Sequence, residues 1–225
     1  MLVSRCFRLR AGQLRTIHDL RSRFKDPLSP FYLAPGEKGP ESPDPVLPLV
    51  TEQARYDSAA AEAKQELSRM GYDPTTFYEQ RVVWGDHDSF QHVNNVRYAR
   101  YFESARIEWM MTLGNEIGGP EKAQAMVKGQ GVSLILKSLS IKFKRPVTYP
   151  DTLLIAHKPY FPASMSHPRF HFNCRATMYS YSQQVAVAES DSELVWYDYE
   201  NLKKCDPGPE TWGVVLRYTR LQNNS

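Results

Sequence analysis

Acidic residues are almost missing from the first 25 positions of this 225-residue chain. Seven cations, Arg5, Arg8, Arg10, Arg15, Arg21, Arg23 and Lys25, face only Asp19 there. Cysteine is scarce too, with three in all, an odd and low number that excludes a disulfide framework. Cys174 and Cys205 lack the spacing of metal ligands. No apolar run approaches the roughly 18 residues needed to span a bilayer, so no membrane span is expected. The net charge of +3 belongs to the leader: without it, 21 basic and 24 acidic residues remain, a net −3. The body of the chain therefore lacks the basic footprint of a nucleic-acid partner.

Composition is otherwise that of an ordinary globular chain, 41% hydrophobic and 24% charged. Residues 1–25 are arginine-rich and weakly amphipathic, and they lack the compact apolar core of a secretory signal. This reads as a mitochondrial transit peptide, with a disordered basic tail as the alternative, and it places the protein in the matrix. Residues 26–50 hold Pro27, Pro30, Pro35, Pro40, Pro43, Pro45 and Pro48. Each fixes φ and removes a donor, so the segment reads as an extended linker or surface-hugging arm. The alanine-rich stretch that follows, with Gly71 as its stop, predicts an accessory helix within residues 51–72.

Residues 76–205 read as one α+β domain. A strand over 78–84 leads into "GDHDSFQHVNN". From there Tyr98, Tyr101, Phe102, Ala105, Trp109 and Leu113 recur at helical spacing. Arg100, Glu103, Arg106 and Glu108 are assigned to its other faces, and Gly114 to its end. About four strands follow. "LSIKFKRP" alternates with Leu139, Ile141 and Phe143 on one face, whereas "VSLILK" has the opposite phase, which predicts a bulge near Lys137. "RFHFNCRATMYS" turns Phe170, Phe172, Cys174, Ala176 and Met178 inward. The plan is an antiparallel sheet wrapped around one long central helix, with 206–225 as a C-terminal tail.

The loop concentrates Asp86, His87, Asp88, His92, Asn94 and Asn95 before a helix start. An asparagine N-cap and an acidic residue favoured by the helix dipole explain one or two of these, not the whole set. His92 as a purely structural histidine stays open. A metal site from Asp86, His87, Asp88 and His92 has suitable ligand types but no common spacing, so no metal is expected. Cys174 reads as core rather than nucleophile. The stripe Tyr98, Tyr101, Phe102, Trp109 reads as core whose near end lines a pocket. Glu103 reads as a solvated or interface charge. Lys142, Lys144 and Arg145 form a solvated strand face or a phosphate contact.

The "D-x-D-x-x-x-H-V-N-N" spacing, the helix "VRYARYFESARIEW" and the later "RPVTYPDTLLI" resemble the hotdog-fold acyl thioesterases over about residues 76–200. The bacterial long-chain acyl-CoA thioesterases, the plant acyl-ACP thioesterases (through "QHVNN") and the 4-hydroxybenzoyl-CoA thioesterases share these features. The resemblance implies a hotdog fold and hydrolysis of a fatty acyl-CoA or acyl-carrier-protein thioester without a cofactor. It also implies a homodimer or homotetramer whose tunnel is completed across a dimer interface. It makes Asp88 the general base or nucleophile and His92 the counterpart of the plant histidine. The Asn95 N–H becomes the oxyanion donor, with Asn94 and Tyr98 in support. Where the plant enzymes carry asparagine two residues after the aspartate, this chain has Phe90, which together with Phe102 is expected to line the acyl pocket. The alternative is a catalytically idle hotdog protein serving as a structural or acyl-binding subunit of a mitochondrial assembly. A hydratase shares the fold, but no hydratase-type motif is present.

Overall fold

The structure, a computed structural model, describes residues 25–29, 32, 34, 51–162 and 170–220. The proposed leader, but for Lys25, and most of the Pro-rich segment lie outside the described residues. The chain divides into two units, Met1–Leu49 and Val50–Ser225. In the first, Asp26 Oδ1 accepts from Leu28 N–H at 3.0 Å in a tight turn.

The second unit opens with α1 (Glu52–Arg69). Thr51 caps it by accepting from Ala54 N–H at 3.1 Å, and Gly71 ends it at φ 78°, a value that glycine takes without a Cβ penalty. Then come β1 (Tyr78–Val82), α2 (Asn95–Val127), β2 (Val132–Phe143), β3 (Asp151–Tyr160), β4 (His171–Ser180), β5 (Val185–Asp198), the short β6 (Lys203–Lys204) and α3 (Pro209–Arg220). The antiparallel sheet runs β1-β3-β4-β5-β2, with β6 on β5. The expected bulge falls between Leu136 and Ser138, where β2 slips against β5. It brings both halves of that strand into phase.

Helices cover both faces of the sheet. On the inner face, Tyr98, Tyr101, Phe102 and Ala105 of α2 pack on Leu153, Ile155, Ala176, Met178 and Ala188. On the outer face, Ala60, Ala63 and Leu67 of α1 pack on Leu154 and Ala156. Strand β3 is thus buried on both sides, which is why "LLIA" is a continuous apolar run rather than an alternating one. All six residues of the predicted α2 stripe are buried. The large ones contribute about 1.5–3 kcal/mol each.

Three expectations need correction. Gly114 does not end the helix. The chain stays helical past it and breaks at Gly118 and Gly119, whose φ/ψ are non-helical, before Pro120 opens a second helical segment. Gly114 lies where that segment crosses back, since a Cβ there would sit 2.5 Å from Ala123 Cα. Its missing side chain serves close approach, not termination. Residues 206–225 are not merely a tail: α3 buries Val215 and Tyr218 against the cluster of Trp109, Phe172 and Trp196. Arg217 and Tyr218 both donate to Glu116 of α2. The Pro207-Gly208-Pro209 run and Gly213 masked that helix in the sequence. Finally, Arg106, assigned to a polar face, is buried.

Gly114→Ala should lower stability by about 1–3 kcal/mol, because overpacking against backbone outweighs the gain in helix propensity. Thermal denaturation of the variant checks this. An unchanged or raised Tm would mean that the crossing is looser than described.

Candidate active site

The loop between β1 and α2 is built around Asp86. Its Oδ2 accepts from Val83 N–H at 2.9 Å and from the Tyr101 hydroxyl at 2.6 Å, and Oδ1 faces Arg97 Nε at 3.4 Å. Its carbonyl takes the Asn94 N–H at 2.9 Å. A buried carboxylate survives only when its lone pairs are used in this way. Burial and the Asp86 hydrogen bond push the Tyr101 hydroxyl well above its ordinary value, so it remains a donor. His87 is committed as well, since its Nε2 accepts from Tyr149 N–H at 2.7 Å. These bonds give Asp86 and His87 structural work in the loop.

The segment before β3 clamps the far side of the loop. Val93 N–H donates to Val147 C=O at 2.8 Å, and Val147 N–H donates to Tyr98 Oη at 3.1 Å. Burial raises the Tyr98 hydroxyl above its usual range. Asn94 is the N-cap of α2, its side chain accepting from Val96 N–H at 3.1 Å. Asn95, the first helical residue, follows with its backbone N–H unpaired among the described residues.

Asp88 sits in a turn that it stabilises itself. Its N–H donates to His92 C=O and its C=O accepts from Gln91 N–H, both at 3.0 Å, while Oδ1 accepts from Phe90 N–H at 2.9 Å. Gln91 closes the turn at φ 63°. Asp88 Oδ2 has no hydrogen-bond partner among the described residues.

Beside this turn is a cleft of about 260 Å³ lined by His92, Val93, Asn95, Tyr98, Phe143, Lys144, Arg145 and Pro146. The structure therefore brings His92, Asn95 and Tyr98 together, with Asp88 on the adjoining turn. Phe90 does not line the cleft: it is 79% exposed at the turn tip, because the Asp88–Phe90 bond turns that residue outward. Phe102 is fully buried in the core and closed to solvent. The apolar wall comes from Val93, Tyr98, Phe143 and Pro146 instead. Phe143 crosses Tyr98 edge-on at 5.1 Å. Its sequence signal was the alternation of β2, which set it on one face with Leu139 and Ile141. Lys144 pairs with Glu189, and Arg145 makes no ion pair among the described residues. Cys174 lies in the core, its thiol pushed up to about 12 by burial, so it is no nucleophile.

A curled antiparallel sheet around one long helix, with a polar loop feeding the helix start, is the hotdog fold. The profile of the thioesterase-like superfamily matches residues 82–213, more than half of the chain, and the chain belongs to that superfamily. Solved structures share the fold at low identity. A DHNA-CoA thioesterase from Staphylococcus aureus is 15% identical with a TM-score of 0.51, over 65% of this chain and 92% of that one. A second S. aureus protein, solved in complex with CoA, is 9% identical with a TM-score of 0.54, over 67% and 87%. A Pseudomonas aeruginosa protein is 18% identical with a TM-score of 0.53, over 67% and 94%. No curated protein matches.

Proposed function

We propose that the chain hydrolyses fatty acyl thioesters of CoA, with a carrier-protein thioester as the second substrate form, through water activated by Asp88. The observation that carries this reading is the unpaired Asn95 N–H at the mouth of the cleft, beside the Asp88 turn. The free Asp88 Oδ2 takes a proton from water and hydroxide adds to the thioester carbonyl. The Asn95 N–H, aided by the helix dipole, receives the oxyanion. The C–S bond then breaks and the thiol leaves with the proton. Asn94 holds the helix start, Tyr98 fixes the cleft wall and His92 orients the water. Lys144 and Arg145 suit the phosphates of the leaving group. Two neighbours named for CoA, one as a CoA thioesterase and one as a CoA complex, favour CoA over a carrier protein.

A homodimer, or a homotetramer built from dimers, is part of the same proposal. Strand β2 is a long sheet edge that leaves Ile135, Leu136 and Phe143 exposed. Such an edge needs a cover, and a second copy supplies one beside the cleft. Location in the mitochondrial matrix rests on the arginine-rich leader. Among the described residues, no helix is long and apolar enough to cross a membrane.

Three measurements test these statements. Asp88→Asn should lower thiol release from acyl-CoAs by about 10²- to 10⁴-fold, the worth of a general base, without lowering Tm. His92→Ala should cost less. Equal rates in wild type and Asp88→Asn sink the aspartate mechanism, and an inert wild type across chain lengths sinks the hydrolase. Leu136→Lys should shift sedimentation toward a monomer, and an unshifted oligomer would move the interface elsewhere. A reporter fused to residues 1–25 should be imported and processed by isolated mitochondria; retention in the supernatant rejects the matrix assignment.

A further inference from the structure

The chemistry above leaves one group of side chains unused, and it is apolar and exposed. Among the described residues of Val50–Ser225, the large apolar side chains that are 46% or more exposed are Val83, Trp84, Phe90, Val96, Phe143, Tyr149 and Leu202. All but Leu202 fall in residues 83–96 and 143–149, the two segments that frame the cleft. Exposed apolar residues scattered singly need no explanation, but a grouped set marks a surface that something covers.

Strand pairing puts the group at one end of the sheet. Val82, closing β1, pairs with Asp151, which opens β3; Leu153 pairs with Ser180, Ser180 with Val185, and Ala188 with Phe143, which closes β2. Continued past Val82, the β1–β3 register sets Trp84 opposite Tyr149. Trp84 and Val96 flank the base of the loop, outside the bond from Asn94 N–H to Asp86 C=O, and Phe90 is at its tip. The backbone beneath them is tied down, since Val93 and His87 both bond the segment before β3. The exposed charge here has one sign. Arg81, Arg97, Lys144 and Arg145 are exposed, whereas Asp86 and Asp151 are buried and Asp88 is half-buried. The β4–β5 turn at the same end, residues 181–184, is uncharged.

Projecting aromatic and aliphatic tips set among cations suit an anionic bilayer surface. The tips enter the headgroup region, where Trp and Tyr rest readily, and the cations meet lipid phosphates. A second copy is the competing occupant. A copy on the β2 edge reaches Phe143, but Val83, Trp84 and Tyr149 lie by β1, at the opposite edge of the sheet. We propose that this end docks the protein on an anionic lipid surface through Trp84, Phe90 and Val96, with Arg97 and Arg145 on the lipid phosphates, so that the cleft opens at the membrane face.

The test is co-sedimentation of the full chain with vesicles of phosphatidylcholine containing about one-third phosphatidylglycerol. Wild type should pellet with them, and less so as salt rises. Trp84→Ser and Phe90→Ser should each lower vesicle affinity by roughly 10-fold, the worth of one apolar side chain leaving water. The basic leader also attracts anionic lipid, but it is common to wild type and variants, so the comparison between them decides. Of the four tryptophans only Trp84 is exposed. Its emission should therefore shift to the blue on vesicle addition, and Trp84→Phe should lose the shift while keeping the binding. The proposal is overturned if wild type stays in the supernatant, if its emission does not shift, or if Trp84→Ser and Phe90→Ser bind as wild type does. A smaller sedimenting species for Trp84→Ser without vesicles also overturns it and assigns this end to a second copy. No turnover is read, so a failure of the hydrolase reading leaves these outcomes untouched.

Discussion

The buried carboxylate of Asp86 is the constraint on which the site depends. It ties the end of β1, through Val83, to the second turn of α2, through Tyr101, and its carbonyl holds the N-cap residue Asn94. A helix start is otherwise free to fray, because its first N–H groups have no internal acceptors. Here it is anchored from below by Asp86 and from the side by Val147. A fixed start of this kind is the preorganisation that the proposed oxyanion role of the Asn95 N–H requires. The net worth of each hydrogen bond is modest, about 0.5–1.5 kcal/mol, but leaving one buried partner unmade costs more. The loop is accordingly held as a unit.

Sequence patterning revealed the parts of the fold whose physics is local. The α2 stripe, the glycine stop of α1 and the phase slip in β2 each follow from periodicity or from a single backbone preference, and each is present. Features set by tertiary contact were hidden. Gly114 has the composition signal of a helix stop, and only the close crossing of Ala123 gives it a different role. Residues 209–220 look poor in helix propensity, yet burying Val215 and Tyr218 under α2 compensates. Arg106 reads as surface because arginine usually is, and no local pattern announces its burial.

The site divides along the same line. Its loop was legible because an aspartate, a histidine and two asparagines cluster in eight positions, and the motif resemblance gave them an order. Its walls were not. Phe90 was expected inside because the family resemblance lets an aromatic at that position line the acyl pocket, but a side chain two residues along a self-bonded turn faces away. Phe143 reaches the cleft from a strand distant in sequence, by pairing register. The burial of His157 on β3 was hidden in the same way, since it follows from the pairing with Ala176 of β4.

The inner face therefore carries two kinds of surface, and their order along α2 is informative. Nearest the loop, one apolar cluster seals the helix start against the sheet and a second closes the far end, with His157, Ser190 and Ser192 as buried polar members between them. The polar members sit beside small residues of β4, Ala176 and Cys174. A buried polar group gives up apolar contact at its place, so the stability of this face rests on the two clusters that flank it.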